Sequence, residues 1–227
     1  PEWQERDRFV LSKGHATPLY YCTLAHRGYF PMSWLKTYDQ INSRLQGHPD
    51  MTKTPGVDMT TGSLGQGLSA AIGMRLAGER RGLNFRTFVL LGDGELQEGQ
   101  IWEAMTYAGH KRIRHLIAIV DSNTLQLSTE TDKCLPVVPS VKRWADFGWE
   151  VGEIDGHNME QVVDALERAY NWSDGPICII AHTKKGKGIS FMENAVAWHS
   201  KPPSPEEGHR ALIELGANPD EEPPWLK

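Results

Sequence analysis

Two short apolar runs constrain this chain more than any other feature. Phe88-Val89-Leu90-Leu91 and Leu116-Ile117-Ala118-Ile119-Val120 contain no alternating polar residue. That is the pattern of strands covered on both faces in a parallel sheet. Between them lies room for one helix, over about residues 99–111, and a parallel pair needs such a crossover. The alternation extends along the chain. A strand over 8–12 precedes a helix over about 18–27 that stops at Gly28. A helix over about 65–81 turns Leu68, Ala71, Ile72 and Leu76 inward. A strand near 149–154, a helix near 158–171 and the strand Ile177–Ala181 follow. Helices alternating with β-rich runs define an α/β fold with a doubly wound, mostly parallel sheet. Residues 1–200 are expected to form one domain, and 201–227 a Pro- and Glu-rich peripheral tail.

Composition removes several function classes. Lys and Arg number 24 against 29 Asp and Glu, a net charge of −5, so no basic excess is available for a nucleic-acid backbone. No apolar run approaches the ~20 residues of a membrane helix. Cys22, Cys134 and Cys178 have no C-x-x-C spacing, which argues against a disulfide framework and a zinc site and fits the cytoplasm. The opening Pro1-Glu2-Trp3 has neither an initiator Met nor a signal peptide, so further residues are expected upstream.

The chemistry gathers at strand ends. Asp93 follows one apolar run within Gly92-Asp93-Gly94, and Asn123 follows the next after Asp121-Ser122. Parallel strands joined by a helix end on the same edge of the sheet, where open α/β sheets bind ligands. A carboxylate and an amide oxygen should therefore converge there. Asp93, Asn123 and a backbone carbonyl near Leu125 would give Mg²⁺ (or Ca²⁺) three hard oxygen ligands, leaving room for diphosphate oxygens and water. Glycines at 92 and 94 let phosphates approach the backbone. Each residue alone reads equally as a turn or a cap; the pair behind two buried strands is what carries the signal. No dinucleotide G-x-G-x-x-G survives, since Gln97 replaces its last glycine, and neither G-x-x-x-x-G-K-[ST] nor H-E-x-x-H occurs. The stretch over 43–67 is irregular and rich in Gly, Pro, Thr and Ser, as functional loops often are.

Gly92-Asp93-Gly94-Glu95 through Asp121-Ser122-Asn123 resembles the thiamine diphosphate motif. Asp7-Arg8-Phe9-Val10-Leu11-Ser12-Lys13-Gly14-His15, Gly47-His48-Pro49, Thr61-Gly62-Ser63-Leu64-Gly65-Gln66-Gly67, Glu98-Gly99 and Trp198-His199-x-Lys201 resemble the transketolase family. The resemblance covers about residues 6–202 and corresponds to the family's diphosphate-binding domain. It implies that Asp93, Asn123 and the Leu125 carbonyl hold the metal, and that Gly92 meets the diphosphate. Gly62 and Leu64 match the loop against the aminopyrimidine and thiazolium, with Ser63 where the family usually has Pro. His15 matches a histidine near the diphosphate, His48 one that reaches the donor hydroxyls, and His199 one beside the diphosphate and reacting carbon. Lys185 matches a lysine at the edge of the site. Glu98 matches a buried acid that links cofactor sites across a dimer.

The resemblance implies more by what the sequence lacks. In the family, the glutamate that activates the cofactor sits in a following pyrimidine-binding domain. The 26 residues after Lys201 are too few to build it. A separate pyrimidine-binding subunit is therefore expected, in an α2β2 heterotetramer acting on sugars or sugar phosphates. Rival readings are a 1-deoxyxylulose-5-phosphate synthase, the α subunit of a 2-oxoacid dehydrogenase, or a non-catalytic scaffold. The Ser12–His15 and Trp198-His199 segments favour transketolase.

Overall fold

The computed structural model describes residues 2–137 and 139–221. In chain order the elements are β1 (Arg8–Leu11), α1 (Thr17–His26), α2 (Gln66–Arg80), β2 (Thr87–Gly92), α3 (Gly99–His110), β3 (Leu116–Ser122), the single turn α4 (Thr131–Cys134), α5 (Val141–Asp146), β4 (Glu150–Asp155), α6 (Met159–Asn171), β5 (Ile177–His182) and α7 (Pro205–Glu214). Five strands pair in the order β1-β2-β3-β5-β4, every pair parallel. Each expected strand and helix lies within about one residue of its observed bounds, and the sheet is doubly wound as its alternation implies.

Strand pleating sorts the core. Val10, Val89, Leu91, Ala118, Val120 and Ile180 face α2, α3 and α5. Leu11, Phe9 and Leu90 face α1, and Ile117, Ile119 and Ile179 face α6 on the same side. Both faces are apolar, so β2 and β3 have no polar face to show solvent. In α2, Leu68, Ala71 and Ile72 are buried as their spacing requires, but Leu76 is only partly so. Arg75 is buried in its place. Its guanidinium donates to the Leu83 and Phe85 carbonyls beyond the helix end, each at 3.2 Å.

Residues 43–65 contain no helix or strand, yet they are well tied. Asp58 accepts from the Phe9 amide on the outer edge of β1 at 2.9 Å and from Arg6 at 3.0 Å. Tyr20 donates to the Gly56 carbonyl at 3.1 Å. The segment therefore covers an edge strand that would otherwise present unpaired amides. Within the stretch expected as a tail, α7 opens on a Ser204–Glu207 capping box, and its Glu214 accepts from the Ser190 hydroxyl at 2.9 Å. Residues 222–227 of that stretch lie outside the described residues.

Candidate functional site

The β2–β3 register pairs Gly92 with Asp121, and the Asp93 amide extends the ladder to the Asp121 carbonyl at 3.2 Å. Asp93 and Asn123 thus leave the sheet side by side, both buried. Asp93 Oδ1 accepts from the Gly94 amide at 2.7 Å, and Oδ2 accepts from the Thr124 amide at 2.5 Å. Asn123 Oδ1 accepts from the Leu125 amide at 3.0 Å. Thr124 between them has φ +66°, a left-handed conformation costly for a β-branched residue. That turn aims one amide at Asp93 and the next at Asn123.

Asp93 has no ion-pair partner among the described residues. Burial raises its carboxyl above the ordinary range, against the two amides that lower it. Each of its oxygens still has a free lone pair. A buried carboxylate without a cation, beside a buried amide oxygen, is a donor set that fits a hard divalent ion. Asp121 differs. Burial pushes it up, but Lys13 beside it and hydrogen bonds from Lys13, Thr183 and Asn123 hold it below the usual range. Its Oδ2 lies 2.5 Å from Lys13 Nζ, and its Oδ1 accepts from the Thr183 hydroxyl. Lys13 and Thr183, both within the site, have no counterpart among the expected residues.

Positive and titratable groups crowd the same edge. The rings of His15 and His199 lie 5.0 Å apart. Desolvation, followed by Lys13, His199, Lys185 and His48, lowers His15 to about 4. Burial and then Lys185 and Lys13 lower His199. Burial and then Lys13 lower Lys185. These bases resist protonation because desolvation and the others' positive charge both oppose it, a strain that a bound polyanion relieves. His48 joins through the 61–65 loop: a Cβ on Gly62 would lie 3.1 Å from its ring. Trp198 stacks edge-on against Phe191 with centroids 5.5 Å apart, a packing contact.

The loops meet too closely for side chains. A Cβ on Gly14 would lie 2.8 Å from Thr61 Oγ1 and 2.9 Å from the Gly62 nitrogen. Gly65 has φ +84°, and its Cβ would strike that of Glu98 at 2.8 Å, so only glycine starts α2 there. Gly62 is exposed and Leu64 partly so. Glu98, expected as a buried acid, is exposed at the start of α3 in this chain. His15, His48, Gly62 and Glu98 all reach solvent, making this edge an open face. Two concavities among the described residues, of about 310 and 410 Å³, lie elsewhere, one against α6 and β4 and one beside Arg6, Arg44 and Lys53.

Fold and edge together define a thiamine diphosphate-binding domain. The family profile described as "Transketolase, thiamine diphosphate binding domain" matches residues 1–223, and the chain belongs to the transketolase family. The 6-deoxy-6-sulfo-D-fructose transketolase subunit SqwG of Clostridium sp. is 46% identical over 215 residues, 95% of this chain and 78% of that protein. An apulose-4-phosphate transketolase subunit of Actinobacillus succinogenes is 46% identical over 211 residues, 93% of this chain and 76% of that protein. A solved transketolase from Pichia stipitis superposes with a TM-score of 0.91 at 30% identity, over 99% of this chain and 35% of that one. The chain thus spans about a third of that larger enzyme's length. The expected transketolase assignment is borne out, with its fold and enzyme class. No helix among the described residues is long and apolar enough to cross a membrane.

Proposed function

We propose that this chain is the diphosphate-binding subunit of a split transketolase. With a separate pyrimidine-binding chain, it moves a two-carbon ketol unit from a ketose to an aldose. One observation carries the reading: buried Asp93, with no ion-pair partner among the described residues, and buried Asn123 share a sheet edge with the crowded Lys13, Lys185, His15 and His199. Asp93, Asn123 and the Leu125 carbonyl hold Mg²⁺ or Ca²⁺. Lys13, Lys185 and the Gly92 backbone face the diphosphate, and Gly62 and Leu64 support the rings of the cofactor. Bound thiamine diphosphate supplies a thiazolium carbon that adds to the donor carbonyl.

The chain's own groups manage charge and protons. His199 and His15 are neutral at neutral pH because burial and positive neighbours both disfavour their charged forms. A neutral imidazole accepts a proton from a donor hydroxyl and returns it to the product. His48, on the open side of the Gly62 loop, is placed to do the same. Glu98 faces the partner chain. Residues 2–200 serve as the cofactor domain, with 201–221 peripheral to it. Two-fold symmetry, the commonest solution, gives an α2β2 heterotetramer with two sites. The sulfo-sugar and sugar-phosphate named for its relatives support a sugar or sugar-phosphate substrate. Three free thiols, two of them exposed, support the cytoplasm.

The test is an assay of ketol transfer with Mg²⁺, thiamine diphosphate, a ketose donor and an aldose acceptor. It is run on the chain alone and on the chain co-expressed with a pyrimidine-binding chain from its own genome. Turnover should need both polypeptides. Full turnover by this chain alone overturns the split reading.

A further inference from the structure

Glu95 lies outside every role assigned above, yet its carboxylate joins three loops. It sits in the tight turn Gly94–Gln97 and is 2% exposed. Oε1 accepts from the Ser12 hydroxyl and from the Gly65 amide at 2.9 Å. Oε2 accepts from the Gly92 amide at 3.0 Å. Ser12 begins the loop of Lys13 and His15, Gly65 closes the loop of Gly62 and Leu64, and Gly92 opens the loop of Asp93. No other side chain among the described residues receives a hydrogen bond from all three.

The backbone of Ser12 is held by the Leu90 carbonyl at 2.9 Å, but its hydroxyl and the Gly65 and Gly92 amides meet at Glu95. The α2 helix begins at Gly65 with no side-chain cap of its own. Glu95 supplies that cap from a distant part of the chain, where a carboxylate also meets the positive end of the helix. A Cβ on Gly67 would lie 2.3 Å from Ser12 Oγ, so the missing side chain admits the serine to the carboxylate. Gly92 presents its amide because the strand ladder ends beside it.

We infer that Glu95 is a positioning residue whose carboxylate sets the mutual spacing of the three cofactor-binding loops. The inference rests on the proposed reading of those loops as the cofactor site. Glutamine distinguishes this role from simple packing, because it keeps the volume and one acceptor. Its amide NH₂ must face either the single donor at Oε2 or the two at Oε1. The Ser12 hydroxyl can turn and accept, so either orientation sets the NH₂ against one backbone amide, and Glu95→Gln should release Gly92 or Gly65 while the other stays bound.

The experiment has two arms. Amide exchange is followed by NMR on the chain without cofactor, and thiamine diphosphate binding with Mg²⁺ is followed by calorimetry on the chain with its partner. Glu95→Gln should speed exchange by about tenfold at one of Gly92 and Gly65, leave the other within about threefold, and weaken cofactor binding by about tenfold. Turnover at saturating cofactor should fall far less than affinity. Ser12→Ala removes one neutral donor and should weaken binding by only about threefold, which keeps the test open if Glu95→Gln fails to fold. Unchanged exchange at both Gly92 and Gly65, or unchanged affinity in either folded variant, overturns the anchor. Wild-type protein that binds no cofactor with its partner overturns the reading of the site itself, and the anchor with it.

Discussion

Two carboxylates at opposite ends of the sheet, Asp58 half-buried and Asp93 buried, teach what distinguishes scaffold from site. Asp58, beside the start of β1, is answered completely: Arg6 donates two hydrogen bonds to it and the Phe9 amide a third. Nothing is left for a ligand to supply. Asp93, beyond the end of β2, receives only two amides, and its carboxyl is raised by burial. The first site spends its charge on holding loop 43–65 against an edge strand. The second leaves its carboxylate without an ion pair, as the proposed metal site requires. The positive cluster shows the same contrast. Lys13 is matched by Asp121, whereas Lys185, with Lys13, disfavours the charged forms of His15 and His199.

The largest test of this contrast exchanges the two ends. Asp93→Ala in the assembled enzyme should abolish Mg²⁺-dependent cofactor binding, measured by calorimetry, while the fold survives. Asn123→Ala should weaken binding less, since it removes a neutral ligand. Wild-type affinity in Asp93→Ala would erase the distinction. Next come His48→Ala and His199→Ala. Each should lower kcat by about 10²–10⁴-fold, the usual cost of a general acid–base, with a modest change in cofactor affinity. Unchanged turnover in both would return these histidines to packing roles. Asp58→Ala should do the reverse, costing about 1–3 kcal/mol of stability by chemical denaturation through its unpaired partners. Its cofactor affinity should stay within about threefold; a larger loss would join the two ends into one functional unit.

Legibility in the sequence follows locality. The strands are read correctly because β2 and β3 are apolar on both faces, and α1 stops where Gly28 takes φ +77°. Asp93 and Asn123 are found because strand ends and a crossover place them by topology alone. The contacts between them are hidden. Lys13 and Asp121 are 108 residues apart, and Ser12 and Glu95 are 83 apart; no local pattern announces either pair. Periodicity places Leu76 inward, and it packs half-buried against the core, but periodicity does not foresee Arg75, which α2 also buries because the carbonyls of Leu83 and Phe85 need donors. The left-handed Thr124 has no sequence signature, since Gly or Asn is the usual choice there.

The smallest expected effect tests whether the positive cluster is as unmatched as Asp93. His15 is held down to about 4, while an unfolded histidine titrates near 6.5. Between those values the unfolded chain binds a proton at this residue and the folded chain does not. Stability from His15 is therefore full above about 6.5 and is lost as pH falls towards 4. Asp93 contributes with the opposite sign: its raised carboxyl favours the folded state at low pH and loses that contribution as pH rises through its folded value. His15→Gln should flatten the fall in Tm between pH 6.5 and 4 without removing the contribution of Asp93. Inorganic pyrophosphate, which carries the charge of the cofactor without its rings, should raise the His15 titration seen by NMR in the wild type. Asp58→Ala should leave that shift intact. If pyrophosphate leaves His15 near 4, the edge is crowded by desolvation alone, and its positive charge is not arranged for an anion.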